Sequence, residues 1–128
     1  MAEMSNYLEN ALINGTLRGS TYTAPTTTYL ALYTNDPTDA DTGTEITGGS
    51  YVRQAITFSS PSNGATSNSS AIEFPQATAD WGTITHVGIR DAVTSGNLLY
   101  HTPLDTSKTI SNGDIFKITS TNLSVTLA

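Results

Sequence analysis

At 128 residues, with a formal charge of −6 and no cysteine, the chain has single-domain size, repels phosphate backbones, and holds neither a disulfide framework nor a thiolate metal site. The five basic residues, Arg18, Arg53, Arg90, Lys108 and Lys117, are scattered, which argues against nucleic-acid binding, and no run approaches the roughly 20 apolar residues that span a bilayer. Hydroxyl side chains dominate instead, with 23 threonines and 14 serines against 16 charged residues, and β-branched threonine fits the pleated, half-buried surface of a strand.

The N-terminus lacks the basic, apolar, small-residue order of a secretion signal, so the expectation is a soluble protein made in a cytosol. Leu8, Ala11 and Leu12 recur at helical spacing, which predicts a helix of about ten residues with Ser5 as N-cap and Gly15 or Gly19 as the stop. After Pro25 the period changes to two: Tyr29, Ala31 and Tyr33 share one face and Leu30 and Leu32 the other, as in a central strand. Residues 35–49 carry Asp36, Asp39, Asp41 and Glu45 among glycines and Pro37, and read as a long acidic loop with room for a short strand. Val52, Gln54, Ile56 and Phe58 then alternate with Tyr51, Arg53, Ala55 and Thr57 up to the turn at 60–64.

Ile72 and Phe74 predict a short strand stopped by Pro75. The run 83–90 predicts a longer one, in which Gly88 marks a bulge or a close neighbour. A further strand covers 98–101 after the Ser95, Gly96, Asn97 turn, and 115–119 and 123–127 close the chain, the latter with Leu123, Val125 and Leu127 on one face. Strands at this spacing, with no helical pattern between them, predict a mainly β fold. The expected architecture is a single-domain antiparallel β-sandwich or barrel of about seven or eight strands, with a helical lead-in over 1–20 and the sandwich over 21–128.

The residues offer little for catalysis. His86 and His101 belong to no recognisable motif and read as structural or interface histidines, and no serine sits in a nucleophile elbow. Gly48, Gly49 and Ser50 lack the lysine of a phosphate loop and read as a flexible turn. Asp36, Asp39, Asp41 and Glu45 are candidate oxygen ligands for calcium. However, a calcium helix-loop-helix needs glycine at loop position 6 and glutamate at position 12, and counting from Asp39 places Thr44 and Ser50 there. No metal, no cofactor and no catalytic residue is therefore expected. Asn14, Asn68 and Asn122 begin glycosylation-type triplets that arise by chance in so threonine-rich a chain. Trp81, the sole tryptophan, reads as a plug at the core edge, with ligand stacking or partner anchoring as the sharper alternative.

The run from Ser5 through the NDPT loop and the GGSYVRQ segment, together with ADWGTITHVGIRD, resembles small tailed-phage virion proteins labelled tail fiber protein. The resemblance covers nearly the whole chain, brings no catalytic residues, and implies a virion structural protein, of which some members serve as capsid decoration or cement. Fibers that bind receptors carry shaft repeats or coiled coils, and this chain has neither. The expectation is therefore a decoration protein on the capsid surface, with a tail, fiber or baseplate component second.

The expected partners are other copies of the chain, as a trimer or dimer, and the major capsid protein or another virion protein, without nucleic acid or membrane. Many weak contacts on a lattice retain such a protein through multivalency. The interface candidates are Met4, Tyr7, Leu8 and Leu12 on the helical lead-in, and Tyr29, Tyr33, Tyr51 and Trp81 as aromatic anchors. Two readings of other classes stand behind these: a carbohydrate-binding module stacking sugars on Trp81, and a small glycan-cleaving domain pairing Glu73 with Asp91.

Overall fold

The computed structural model describes residues 2–127. Its elements run β1 (Glu3–Met4), α1 (Asn6–Leu17), β2 (Thr28–Tyr33), β3 (Gln54–Ile56), β4 (Ala65–Ser67), β5 (Ile72–Glu73), β6 (Gly82–Arg90), β7 (Leu98–Ile110), β8 (Lys117–Ile118) and β9 (Ser124–Thr126). Five strands form one antiparallel sheet in the order β1-β7-β6-β2-β3, while β4 with β9 and β5 with β8 form two-stranded antiparallel ribbons. The mainly β, antiparallel character and the single N-terminal helix are as the sequence implies.

Helix α1 starts and stops where its chemistry requires. Ser5 accepts a hydrogen bond from Leu8 N at 3.2 Å, and the same hydroxyl donates to Leu98 O, so the cap also fixes the helix to the start of β7. At the other end Arg18 and Ser20 both donate to Asn14 O, and Gly19 turns the chain at a φ of +73°; Gly15 lies within the helix.

The alternation in β2 sorts its side chains between two layers. Leu30 and Leu32 face the main core, which β6 enters with Ile84, Val87 and Ile89 and the ribbon side with Ile72, Phe74, Phe116, Leu123 and Val125. Ala31 and Tyr33 face the other way. There a Cβ on Gly88 would lie 2.7 Å from Leu98 Cδ1 and 2.9 Å from the Tyr33 ring, so only glycine lets that ring come so close to the sheet. The close neighbour expected at Gly88 is thus Tyr33. Strand β2 is central, pairing with β6 through Leu30↔Ile89 and with β3 through Leu30↔Gln54.

Several strands differ from the sequence pattern. The two C-terminal strands do not pair with each other, because β8 pairs with β5 and β9 with β4. Strand β3 keeps three residues of the predicted alternation, and Phe58 adds a lone bridge to Asn68. Strand β7 runs well past His101 to Ile110, across Pro103, which an edge position tolerates. β1 and β4 have no clear signal in the sequence.

Asn68 joins the ribbon β4·β9 to the turn before it. Its Nδ2 donates to Ser70 O at 2.8 Å and to Thr119 O at 3.0 Å, and its Oδ1 accepts from Leu123 N at 2.8 Å, all within a fully buried side chain. Asn68→Ala would strand these three backbone groups, and is expected to lower unfolding free energy in urea by about 3 kcal/mol. A loss below about 1 kcal/mol would mean that water replaces the amide.

Candidate functional site

The two arginines of the motif segments, Arg53 and Arg90, converge on the long loop 34–53. Arg53 lies at the end of that loop, and its guanidinium forms a fork on Glu45, Nε to Oε2 and Nη2 to Oε1, both at 2.8 Å. Its remaining nitrogen, Nη1, donates to Ala92 O at 2.9 Å and Ser95 O at 2.8 Å, which fastens the 91–97 turn to the same loop. Tyr51 donates its hydroxyl to Glu45 Oε2 at 2.6 Å and accepts from Leu32 N at 3.0 Å, tying the carboxylate to β2.

Arg90 builds a second fork. It holds Asp41 through Nη1 to Oδ1 at 2.8 Å and Nη2 to Oδ2 at 2.9 Å, and reaches the Tyr33 hydroxyl at 2.9 Å and Gly96 O at 3.0 Å. Both arginine side chains are 8% exposed. A charged side chain in so apolar a strand needs a counter-charge, and the planar guanidinium matches a carboxylate in two places at once. Arg90 Nε is buried without a partner, so this clamp fixes geometry at some cost in stability.

Electrostatics follow the contacts. Burial alone would raise the Glu45 carboxyl, but hydrogen bonds from Arg53 and Tyr51 and the charges of Arg53 and Arg90 outweigh it and hold the group below its ordinary value. Burial, reinforced by the hydrogen bond to Glu45, pushes the Tyr51 phenol far up and keeps it protonated. Burial likewise raises Tyr33, with Arg90 pulling the other way.

A carboxyl depressed by folding adds stability that is complete above its ordinary value of 4.5 and disappears as the pH falls through the lowered one. The melting temperature is therefore expected to drop below about pH 4.5, and Glu45→Gln should flatten that part of the pH profile. Equal acid slopes for the two proteins would remove Glu45 from the account.

The four loop carboxylates do not gather as a calcium set. Asp41 and Glu45 are held by the two arginines, Asp36 Oδ1 accepts from Thr38 N at 2.8 Å, and Asp39 Oδ1 accepts from His101 Nε2 at 2.7 Å. Glu3, Asp39 and His101 do bring donor atoms within 4.8 Å of one another. In this grouping buried His101 joins the loop to β7, with Asp39 as its direct partner. His86 shares a hydrogen bond with neighbouring Thr85 at 2.8 Å.

Trp81 connects the two motif segments from within the core. It is 5% exposed, its Nε1 donates to Gly49 O at 2.9 Å, and its ring meets Tyr51 and Phe74 edge to face at 5.5 and 6.3 Å. A Cβ on Gly49 would lie 2.8 Å from the indole nitrogen, so that glycine is the seat of the tryptophan. The indole has no open face for a sugar. Glu73 and Asp91, paired in the glycan-cleaving reading, do separate work: Glu73 lies 3.9 Å from Lys117, and Asp91 accepts from Asn97 N at 2.7 Å in the turn.

Among the interface candidates, Leu8, Tyr33 and Trp81 are buried in the chain's own core. Met4, Leu12, Tyr29 and Tyr51 are half-buried, and Tyr7 is exposed. The clamped loops present a different surface, a shallow recess of about 340 Å³ bordered by Val52 and Val93, each 42% exposed, with Thr47 and Thr94 beside them. Sequence reading missed both arginine clamps. The available signal was an arginine placed inside an alternating apolar strand, in each of the two motif segments.

No helix among the described residues is long and apolar enough to cross a membrane. A family model described as podophage GP4 fiber I protein gp80 matches residues 3–126. No curated protein matches the chain.

Proposed function

The chain belongs to the podophage GP4 fiber I protein gp80 family, and is thereby a structural protein of the phage virion; from that premise we propose that it is a building piece of the fiber apparatus that docks through its clamped loop surface. The observation that carries this reading is the use of the motif charges. Arg53, Glu45, Arg90 and Asp41 neutralise one another in two forks, so the charges of the motif segments hold loops in place and leave a largely uncharged surface around Val52 and Val93. Loops held this way meet a partner without an ordering cost, and hydroxyl and apolar contacts are less sensitive to salt than ion pairs.

Capsid decoration is the second reading, favoured by the chain's compactness and its lack of any shaft repeat. In both readings the partners are other copies of the chain and a neighbouring virion protein, the major capsid protein in the case of decoration. Virions carrying an epitope tag on the chain decide between them by labelled electron microscopy and quantitative mass spectrometry. Label on fibers with a low copy number supports the fiber piece; label over the whole head with hundreds of copies overturns it in favour of decoration.

A further inference from the structure

Two features of the chain find no cover among the described residues, one an apolar stripe and the other a groove of mixed polar and apolar lining. The first is on α1, where Ile13 and Leu17, one helical turn apart and so on one face, are 52% and 79% exposed, opposite the face that buries Leu8. The second is a groove of about 710 Å³ between the later half of β7 and the segment 115–124. Half-buried Leu104 and Ile118 line it above the buried core residues Ile110 and Phe116, polar side chains such as Thr106 and Asn122 share the lining, and Ile115 lies half exposed at its side.

The form of the groove selects its occupant. Strand β1 pairs with β7 at Tyr100 and His101, and among the described residues no strand pairs with the outer side of residues 103–110. An added strand is nevertheless discouraged. Pro103 lies on the edge, and residues 104–107 bulge out opposite the single residue Thr85. A helix that inserts side chains suits such a groove better than a strand that needs a regular ladder.

Charge points to a second copy of the chain. Arg53 and Arg90 are committed to Glu45 and Asp41, so Arg18, Lys108 and Lys117 are the cations outside those buried pairs. Two of the three line the groove together with Asp105. Lys117 is only loosely engaged, 3.9 Å from Glu73 with both side chains at least half exposed. The α1 stripe carries the complementary order, with Glu9 one turn before Ile13 and Arg18 immediately after Leu17.

We propose that α1 of one copy seats Ile13 and Leu17 in the β7 groove of a second copy, with Glu9 toward Lys108 and Lys117 and Arg18 toward Asp105. The docking rests on the self-association included in the proposed virion role and assigns it a surface. Because each copy offers both stripe and groove, the contact joins unlike surfaces, which close as a reciprocal pair or a ring where the rotation allows and otherwise run on as an open filament.

The absence of native cysteine allows a direct test. A Leu17→Cys chain mixed with an Ile115→Cys chain under mild oxidation is expected to give a mixed disulfide well above the yield from Leu17→Cys with a Ser60→Cys control. Equal yields overturn the docking. In sedimentation of the purified protein, Leu17→Glu, a change at an exposed position, is expected to weaken self-association on the order of 100-fold while the circular dichroism spectrum is unchanged. A wild-type protein that stays monomeric, or a Leu17→Glu protein that associates as well as wild type, overturns it. If either result comes with the chain present in virions, the docking alone falls and the virion role stands.

Discussion

Arg90→Ala is expected to lower unfolding free energy in urea by about 3 kcal/mol, the lower end of the range for removing one partner of a buried ion pair. The loss is concentrated in four acceptors. Both Asp41 carboxylate oxygens, the Tyr33 hydroxyl and Gly96 O all rely on this one guanidinium. The lower end applies because Asp41 is 36% exposed and can regain water, whereas the Tyr33 hydroxyl lies on the sheet beneath the loop. Arg90→Lys should recover less than half of the loss, since an ammonium cannot fork across the carboxylate. The Arg90→Met, Asp41→Asn double variant should be more stable than Arg90→Ala, because it removes both charges together and also the unpartnered Nε, and asparagine tolerates the φ of +58° at position 41. A double variant no better than the single one would show that the fork contributes net stability.

Trp81→Ala is expected to cost about 4 kcal/mol, the usual range for deleting a large aromatic side chain from a core. The cavity opens beside Tyr51 and Phe74, and the carbonyl of Gly49 loses its donor. The loop then loosens at its Gly49 end even though the Arg53 and Arg90 forks are intact. Trp81→Phe should keep most of the packing and lose the hydrogen bond, for a cost of about 1–2 kcal/mol. In the wild type the sole tryptophan should emit at short wavelength and shift to the red on unfolding. A red-shifted native spectrum, or a Trp81→Ala protein as stable as wild type, would place the indole on the surface and return it to the role of a stacking platform.

What was legible in the sequence depended on how much apolar surface each element buries. Helix α1 carried a cap and a stop that act locally, Ser5 and Gly19, and β2 carried a short continuous apolar run because both of its faces are covered. The later half of β7 was not legible. Asp105, Thr106, Ser107, Lys108 and Thr109 are exposed, so no alternation marks them as strand, and Pro103 looks like an end where the structure has an edge. Strands β1 and β4 are too short to carry a period, and the pairing of β8 with β5 and of β9 with β4 joins residues distant in the chain, which leaves no local trace.

The clamps were hidden for a related reason. Arg53 and Glu45 are eight residues apart and Arg90 and Asp41 forty-nine, so their pairing is a product of topology. The fold buries the two guanidiniums against these carboxylates, and the acidic loop that invited a calcium site is held by cations from the protein itself.

The claim that the motif residues hold loop 34–53 in one conformation is tested most directly by amide hydrogen exchange in the wild-type protein. Thr34 N donates to Thr44 O at 3.1 Å, Thr42 N to Pro37 O at 2.6 Å and Thr44 N to Asn35 Oδ1 at 2.6 Å, all within the clamped loop. These amides are expected to exchange at least about 100-fold more slowly than those of the exposed segment 21–27, and to lose that protection in Arg90→Ala while the amides of β2 and β6 keep theirs. Exchange of Thr34, Thr42 and Thr44 at the rate of segment 21–27 in the wild type would contradict the clamp, and with it the fixed docking surface.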